Sequence, residues 1–377
     1  MGIKKQSGFS ILELLISLML GLVVIAGIVQ LFVGNSQTYE LVTAQSRLQE
    51  NARYSFDFIT ESARDAGYYG CAPERDFVIN GLVGLWNNIP EYDMSRPVDG
   101  FESNADGTYQ PTDLLTLPRT EGATNVNVHT DGNGIDGTLL DEDSDIIIFR
   151  SVRQPVARLN AVLQADGDPV VFTPGGEPQF SVDDVVVLSD CEQAAMFKVT
   201  GVATAGNTTT LSHATAGAGS NFNNAALVTT MADVPPAPVA ATLSVLNRAY
   251  GVAATISQLE TTIFFIAPST QSIQANQIQA FPNSLWRKQG RAAPVELVQG
   301  VENMQVVYGV DTTNDGVPNA NRYQEIQAVA DPNSIVAVRV SLDISSPREL
   351  NVPGINPVDR RLRRTFSKTI SIRNTGV

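Results

Sequence analysis

The stretch GFSILELL, residues 8–15, decides the fold of this chain, because it leads without a break into a long apolar run. From residue 14 to residue 33 only Ser17 and Gln30 are polar. At 1.5 Å per residue, twenty helical residues span roughly 30 Å, which is the thickness of the hydrocarbon core of a bilayer. The sequence therefore predicts a transmembrane helix over residues 9–33.

The residues that flank the apolar run distinguish it from a secretory signal peptide. A signal peptide also begins with basic residues, but its small-residue cleavage site follows the apolar run. Here Lys4 and Lys5 come first, the small residue Gly8 stands before the run, and no Ala-x-Ala sequence follows it directly. A cut after Gly8 would remove a short basic leader, residues 1–8, and leave the apolar helix on the protein.

Glu13 places a carboxylate five residues into the predicted helix. An ionised carboxylate within a membrane costs several kcal/mol, so an acidic residue there indicates a function. The alternative is that Glu13 lies at the level of the lipid headgroups and extends toward water. The sequence around Glu13 leaves both interpretations open.

Residues 8–15 resemble the type III signal of type IV pilins and of the pseudopilins of type II secretion. In that family a prepilin peptidase cuts after the glycine and methylates the new N-terminal phenylalanine. The resemblance implies cleavage between Gly8 and Phe9, N-methylation of Phe9, and a role for Glu13 in assembly. A buried carboxylate requires a buried cation, and the free amine of Phe9 in a neighbouring subunit could supply it.

An apolar stripe continues beyond the membrane segment with the spacing of three and four residues that is typical of an amphipathic helix. Its members are Leu41, Ala44, Leu48, Ala52, Phe56, Ile59, Ala63 and Ala66. Charged residues occupy the opposite face, and Gly67 is a typical helix terminator. We predict one helix from Phe9 to Ala66, in which residues 34–67 form the amphipathic continuation that packs on a globular head.

The sequence from residue 68 to residue 377 predicts a β-rich head made of short strands and turns rich in Gly, Pro and Asn. The predicted strands are Leu114–Leu117, Asp145–Val152, Val170–Phe172, Val185–Ser189, Met196–Thr200, Thr209–Ser212, Thr261–Ala267, Leu285–Lys288, Val295–Val298, Met304–Val310, Ile335–Ile344 and Phe366–Ile372. Residues 201–241 are rich in Ala, Thr, Gly and Asn and predict a long loop excursion. The expected fold class is α+β and pilin-like, with a long N-terminal helix packed on an antiparallel head.

The charge and the cysteines bear on the compartment of the head. The chain has 377 residues and a formal net charge of −14, so its body is a poor non-specific binder of DNA or anionic lipid. The positive-inside rule keeps the basic leader in the cytoplasm and places the head in the periplasm, which is oxidising. Cys71 and Cys191, the two cysteines of the chain, then most simply form one disulfide; two buried free thiols are the alternative.

No residue pattern in the chain indicates catalysis. His129 and His213, the two histidines, lie in loop-like segments without a His or Cys partner at the spacing of metal ligands. No serine stands in a strand-turn-helix elbow that would expose it as a nucleophile. We therefore predict that the protein is not an enzyme and that it needs no cofactor for a reaction.

The hexapeptide DTTNDG, residues 311–316, resembles the opening of a calcium-binding loop, with Asp311 and Asp315 as candidate ligands. The match is partial, because the third position is Thr313 and the twelfth, where a bidentate Glu belongs, is Arg322. A plain Asn-Asp-Gly turn between two strands explains the same residues. Calcium binding remains open at this point.

The basic run RRLRR, residues 360–364, raises the question of DNA binding. The run leads into a strand in which Phe366, Ile370 and Ile372 are apolar, and the whole body is acidic. A solvated strand edge is the better interpretation. We expect no direct binding of nucleic acid.

Several segments of the head resemble the PilW family of type IV pilus minor pilins. They are SDC (189–191), LWRK (285–288), VQGVENMQ (298–305), YGVD (308–311), VAVRVSL (336–342) and TISIRN (369–374). The resemblance implies a structural subunit that helps to prime pilus assembly, sits at or near the pilus tip, and serves twitching motility and cell adhesion. The implied partners are other minor pilins, the major pilin, the prepilin peptidase and, at the tip, a large adhesin.

The resemblance also implies two locations. Before assembly the protein is a single-pass protein of the inner membrane, and after assembly it is part of the pilus, at or near the tip. Two alternative functions stay open. One is a J-type pseudopilin of type II secretion, which shares the N-terminal signal. The other is a tip-exposed binding module that uses residues 201–241 as its contact surface.

Overall fold

A computed structural model describes most of the chain, and the account below concerns the described residues. They are residues 10–70, 78–80, 82–83, 92–94, 96–103, 109–110, 143–153, 157–163, 168–173, 180–191, 194–213, 223–224, 250–270, 282–290, 292–313, 317–346, 348–355 and 358–373.

One long helix, α1 (Ile11–Asp65), forms the N-terminal part of the described chain. It ends where Gly67 adopts a left-handed backbone with φ of +80°, a conformation that glycine tolerates best. The Gly67 N–H donates to the carbonyl oxygen of Arg150 at 2.9 Å, which attaches the helix end to a strand. The predicted helix and its glycine terminator are confirmed over this range, and the predicted first residue, Phe9, lies outside the described residues.

Nineteen strands follow α1 in the described chain. They are β1 (Val78–Asn80), β2 (Leu82–Val83), β3 (Val98–Ser103), β4 (Tyr109–Gln110), β5 (Ile146–Val152), β6 (Ala157–Arg158), β7 (Val170–Phe172), β8 (Val185–Ser189), β9 (Ala194–Lys198), β10 (Gly201–Ala205), β11 (Thr208–Ser212), β12 (Asn223–Asn224), β13 (Thr255–Pro268), β14 (Asn283–Gln289), β15 (Val295–Gln299), β16 (Val301–Val310), β17 (Arg322–Gln324), β18 (Ile335–Ser345) and β19 (Arg363–Ser371). Two short 3-10 helices, Ile326–Ala328 and Pro332–Ser334, lie between β17 and β18.

The largest sheet is organised around β13, the longest strand. Its first residues pair with β8 and β6, and its later residues pair with β5 on one side and β14 on the other. The strand order through the sheet is β1-β9-β8-β13-β5-β3-β4, with β14 joined to β13 and β15 joined to β14. Antiparallel pairing dominates, and β1 runs parallel to β9.

A second sheet of four strands has the order β17-β16-β18-β19. The longest pairing in it joins β16 to β18, from Val301 opposite Ile344 to Val310 opposite Ile335. Two smaller sheets, β10-β11-β7 and β12-β2, complete the described strands. One long helix with antiparallel sheets makes this an α+β fold of the pilin-like kind, as the sequence predicts.

Most predicted strands coincide with observed ones to within a few residues. The strand predicted at Met196–Thr200 is instead Ala194–Lys198, because its first two alanines are fully buried although alanine has a low strand propensity. The strand predicted at Thr261–Ala267 begins six residues earlier, at Thr255. The strand predicted at Leu114–Leu117 lies outside the described residues.

The segment for which a long loop excursion is predicted, residues 201–241, opens with a hairpin. Strands β10 and β11 pair from Gly201 opposite Ser212 to Ala205 opposite Thr208. The two residues between them include Gly206, which has a φ of +61° as tight hairpin turns require. After His213, all of this segment except Asn223–Asn224 lies outside the described residues.

The chain divides into two compact units. We call Met1–Glu50 with Ser345–Arg364 the N-terminal unit, and Asn51–Ile344 with Thr365–Val377 the head unit. In the head unit the stripe residues Ala52, Phe56, Ile59, Ala63 and Ala66 are all buried. Each large apolar side chain so buried contributes about 1.5–3 kcal/mol, so the predicted stripe is a main attachment of α1 within this unit.

Polar and cationic contacts flank that stripe in the head unit. The side-chain amide of Asn51 donates to the carbonyl oxygen of Gln299 at 2.9 Å. The guanidinium of Arg287 lies over the ring of Phe58 at 5.6 Å, and the ammonium of Lys368 lies 6.0 Å from the ring of Phe56. The last four turns of α1 are therefore held from β14, β15 and β19.

Candidate functional site

The first part of α1 is apolar and unburied. Its large hydrophobic side chains are exposed, from 46% at Val33 to 82% at Ile11. The most apolar window of the helix has a mean hydropathy of 2.7 and none of it is buried, so α1 is long and apolar enough to cross a membrane. An exposed apolar surface of this size is otherwise unfavourable in water.

Glu13 lies in the first turn of α1 and is the acidic residue of that turn. The next charged residue along the sequence is Glu40, so the helix carries a single isolated charge over its apolar part. The hydroxyl of Ser17 donates to the backbone carbonyl oxygen of Glu13 at 2.7 Å, so the polar side chain of Ser17 has a hydrogen-bond partner within the helix. Gly8 and Phe9, the predicted cleavage and methylation residues, lie outside the described residues.

The surroundings of Cys191 are compatible with the predicted disulfide. Among the described residues no cysteine is free. Gly70, which precedes Cys71 in sequence, lies close to the end of β8, because a Cβ on Gly70 would be 3.4 Å from the Cβ of Ser189. Ser189 in turn stands two residues before Cys191. Cys71 itself lies outside the described residues, and the pairing stays a prediction.

Asp311, the first predicted calcium ligand, lies at the end of β16 and organises its own loop. One carboxylate oxygen accepts from the N–H of Thr313 at 2.9 Å and from its hydroxyl at 2.7 Å. The other oxygen accepts from the N–H of Asn319 at 3.2 Å. The hydrogen bonds of Asp311 fit the alternative interpretation, a plain turn. Asp315 lies outside the described residues, so calcium binding stays a prediction.

The described histidine, His213, has a structural setting. Its Nε2 is 2.8 Å from the carbonyl oxygen of Asp168, and its ring meets the edge of Phe197 at 5.3 Å. Within the described residues, no group of three or more His, Cys, Asp and Glu side chains is arranged to hold a metal ion. His129 lies outside the described residues.

A buried polar cluster in the head unit has no counterpart in the sequence analysis. Arg150 of β5 is fully buried; its guanidinium donates to the carbonyl oxygen of Arg96 at 2.6 Å and lies 3.5 Å from a carboxylate oxygen of Asp99. The hydroxyl of Tyr308 in β16 donates to the carbonyl oxygen of Asp99 at 3.3 Å. An arginine inside the apolar strand IIIFRSV, residues 146–152, is the sequence signal that could have indicated such a cluster.

Asp145 joins the two largest sheets within this cluster. One carboxylate oxygen accepts from the N–H of Ser103 at 3.1 Å, at the end of β3, and the other accepts from the N–H of Val306 at 2.8 Å, in β16. Next to it, the hydroxyl of Ser144 accepts from the N–H of Met304 at 2.8 Å. The bonds from Val306 and Met304 connect segments about 160 residues apart in sequence.

Two acidic side chains at this junction, Asp145 and Glu102, have raised pKa values. Burial raises the pKa of Asp145 to about 6, although the N–H donors of Val306 and Ser103 oppose the shift. Burial, with the nearby charges of Asp145 and Glu325, raises the pKa of Glu102 to about 7. The arrangement binds two sheets together and makes the stability of their junction sensitive to pH.

Comparison with known protein families identifies two regions of the chain. The prokaryotic N-terminal methylation motif matches residues 3–29, and the family of the type IV pilus-assembly protein W matches residues 263–374. The second match begins within β13 and includes all four strands of the β17-β16-β18-β19 sheet. No curated protein matches the chain, and no solved structure does.

The helix, the antiparallel sheets and these matches define the class: a type IV pilus-related, pilin-like protein with an N-terminal helix suited to membrane anchoring. The resemblance to the PilW family of type IV pilus minor pilins is thereby confirmed for the C-terminal part of the head. Five of the six head segments that carry it lie inside residues 263–374, and Ser189–Cys191 lies outside them. Both matches indicate a structural pilus component.

Proposed function

We propose that the protein is a minor pilin, a low-copy structural subunit that helps to prime assembly of the type IV pilus and sits near its tip. The proposal rests on two features that occur together in this chain. A prepilin motif with Glu13 leads into an exposed apolar helix, and a region similar to the type IV pilus-assembly protein W family forms the C-terminal part of the head.

The physical basis of assembly is the isolated carboxylate of Glu13. A charged carboxylate within a membrane costs several kcal/mol unless it is paired. Cleavage after Gly8 gives each subunit a free amine at Phe9, four residues before its own Glu13. A subunit that enters beneath another can set its carboxylate against the amine of the subunit above, which neutralises both charges in the apolar surroundings.

The presence of Glu13 favours a position beneath at least one other minor pilin. A subunit at the extreme tip has no neighbour above it, and its carboxylate would gain no partner. The partners that this arrangement requires are other minor pilins, the major pilin and the prepilin peptidase. The head would lie in the periplasm before assembly, and no catalytic activity is part of this function.

The proposal is tested by comparing Glu13→Leu with Glu40→Leu, which removes an exposed charge from the same helix beyond its apolar part. We expect both variants to insert in the membrane. Glu13→Leu should recover less of the other minor pilins on co-purification and give fewer surface pili, while Glu40→Leu behaves as wild type. Equal recovery and equal piliation for both variants would contradict the role of the carboxylate.

The identity of the co-purified proteins separates the proposal from its main alternative. Protein pulled from sheared pili should bring pilins with it. Recovery of type II secretion components instead would make the protein a pseudopilin, which shares the N-terminal motif.

A further inference from the structure

A basic loop lies within the N-terminal unit and is not used by the proposed function. The basic loop, defined as residues 345–364 and so including the first two residues of β19, carries five arginines and two acidic residues, in a chain whose net charge is −14. Arg348, Arg360 and Arg364 are exposed. The loop therefore presents a concentrated positive charge that is opposite to the charge of the protein as a whole.

Hydrogen bonds within the basic loop fix its two sides against each other. The N–H of Leu350 donates to the carbonyl oxygen of Arg360 at 2.8 Å, and the N–H of Ser346 donates to that of Leu362 at 2.8 Å. The guanidinium of Arg361 donates to the carbonyl oxygen of Ser346 at 2.9 Å. Arg348 and Arg360 thus lie on backbone segments that are hydrogen-bonded to each other.

The basic loop is attached to α1 just past the apolar segment. The side-chain amide of Gln37 donates to the carbonyl oxygen of Asn351 at 3.4 Å. Gln37 follows Val33, the last residue of the apolar run, by four residues, which is about 6 Å along a helix. Two residues further, the ring of Tyr39 is 75% exposed, as is typical of aromatic side chains at the boundary between lipid and water.

The basic loop also carries an exposed apolar side chain. Val358 is 90% exposed and stands two residues before Arg360. Basic residues beside an exposed apolar residue are the combination that binds anionic membrane surfaces, because the cations attract headgroup phosphates while the apolar side chain enters the interface.

We propose that the basic loop binds the headgroups of anionic phospholipids in the membrane leaflet on the C-terminal side of the apolar segment. Arg348, Arg360 and Arg364 contact the lipid phosphates, and Val358 enters the interface between them. The contact holds the membrane-inserted subunit by a second point besides its helix. The proposal rests on insertion of α1 in a bilayer and does not require incorporation into a pilus.

The test uses the full chain in lipid nanodiscs, with a photoreactive amino acid in place of Val358. The matched control places the same amino acid at Val317, which is 61% exposed in the head unit. Nanodiscs contain phosphatidylcholine alone or an equimolar mixture with phosphatidylglycerol, and mass spectrometry counts lipid adducts after irradiation. We expect at least about five-fold more adduct at position 358 than at position 317 in the anionic nanodiscs, since one arginine at such a surface is worth roughly that factor.

Charge variants test the role of the arginines without disturbing the loop. The variant is Arg348→Gln/Arg360→Gln/Arg364→Gln, and its control is Arg64→Gln/Arg322→Gln/Arg373→Gln, three exposed arginines of the head unit. The first variant should lower the adduct at position 358 by about five-fold or more, and the control should leave it unchanged. Both variants lose the same charge, and circular dichroism checks that both are folded.

Several outcomes would overturn the proposal. They are equal adduct yields at positions 358 and 317, equal yields in the two lipid compositions, and equal effects of the two charge variants. Loss of the adduct on addition of a short DNA duplex would assign the arginines to nucleic acid instead. Failure of the chain to enter nanodiscs would overturn the membrane insertion on which the proposal rests. None of these outcomes decides whether the subunit assembles into a pilus, which the Glu13 experiment tests separately.

Discussion

Removal of the Glu102 charge should change stability in a pH-dependent way. Glu102 lies at the end of β3 beside Asp145, and burial raises its pKa from 4.5 to about 7. The folded state therefore holds this proton more tightly than the unfolded chain. The contribution of protonated Glu102 to the free energy of unfolding is therefore greatest below pH 4.5, and it is lost as the pH rises to about 7.

The size of the effect follows from the shift and from the solvent contact of the side chain. A full shift from 4.5 to about 7 corresponds to about 3 kcal/mol of unfolding free energy. Because Glu102 is only partly buried, screening by water reduces this to about 1–2 kcal/mol. Glu102→Gln imitates the protonated form, so at pH 8 the variant should be more stable than wild type by about 1–2 kcal/mol. At pH 4 the two should be nearly equal.

Denaturant unfolding of a fragment that begins at Asn35, followed by tryptophan fluorescence at several pH values, measures this difference. Glu61→Gln removes the same charge from an exposed position of α1 and is the matched control. An equal stability of wild type and Glu102→Gln at pH 8, or a difference that is the same at pH 4 and pH 8, would refute the reasoning.

Two further predictions concern covalent and steric features of the head. Reduction of the bond predicted between Cys71 and Cys191 should lower the melting temperature. The bond would close a loop of about 120 residues and stabilise the fold by at most about 4–5 kcal/mol. Two freely titrating thiols in the oxidised protein would exclude the bond. Gly100→Ala should destabilise the head by about 2 kcal/mol or more, because its Cβ would lie 2.0 Å from the hydroxyl oxygen of Tyr308. Tyr308→Phe should restore part of the loss, and Gly251→Ala, with open space around its Cβ, should be nearly neutral in the same denaturation assay.

The helix and most strands could be predicted because their signals are local. The spacing of Leu48, Phe56 and Ile59 defines one helix face, and all three side chains are buried. Alternating apolar and polar residues, or continuous apolar runs, indicate strands such as Val185–Ser189, whose predicted and observed bounds are the same. These patterns reflect burial on one element at a time, which the sequence records directly.

The polar junction between the sheets could not be predicted, because its partners are distant in sequence. Nothing near Asp145 indicates that its carboxylate accepts from the N–H of Val306 in another sheet. Likewise, the close approach of Gly100 to Tyr308 arises only when β3 and β16 are brought together. Such contacts depend on the topology of the strands and leave no periodic pattern along the chain.

In the hairpin at residues 201–212, β11 agrees with the strand predicted at Thr209–Ser212, whereas its partner β10 is missed for a different reason. The Gly, Ala and Thr composition of β10 is typical of loops and masks the turn signal. Gly206-Asn207, set between the segments GVATA (201–205) and TTTLS (208–212), is a two-residue hairpin signal that the sequence does contain.

The most direct test of the central claim is the mass of the N-terminal peptide of the protein purified from its own cells. The account predicts that the chain begins at Phe9 and that its amine carries a methyl group. Replacement of Gly8 by a bulky residue should leave residues 1–8 in place and retain the protein in the inner membrane. A chain cut after Ala26 or Gly27, or one that keeps its leader in the wild-type protein, would contradict the assignment to pilin-like proteins.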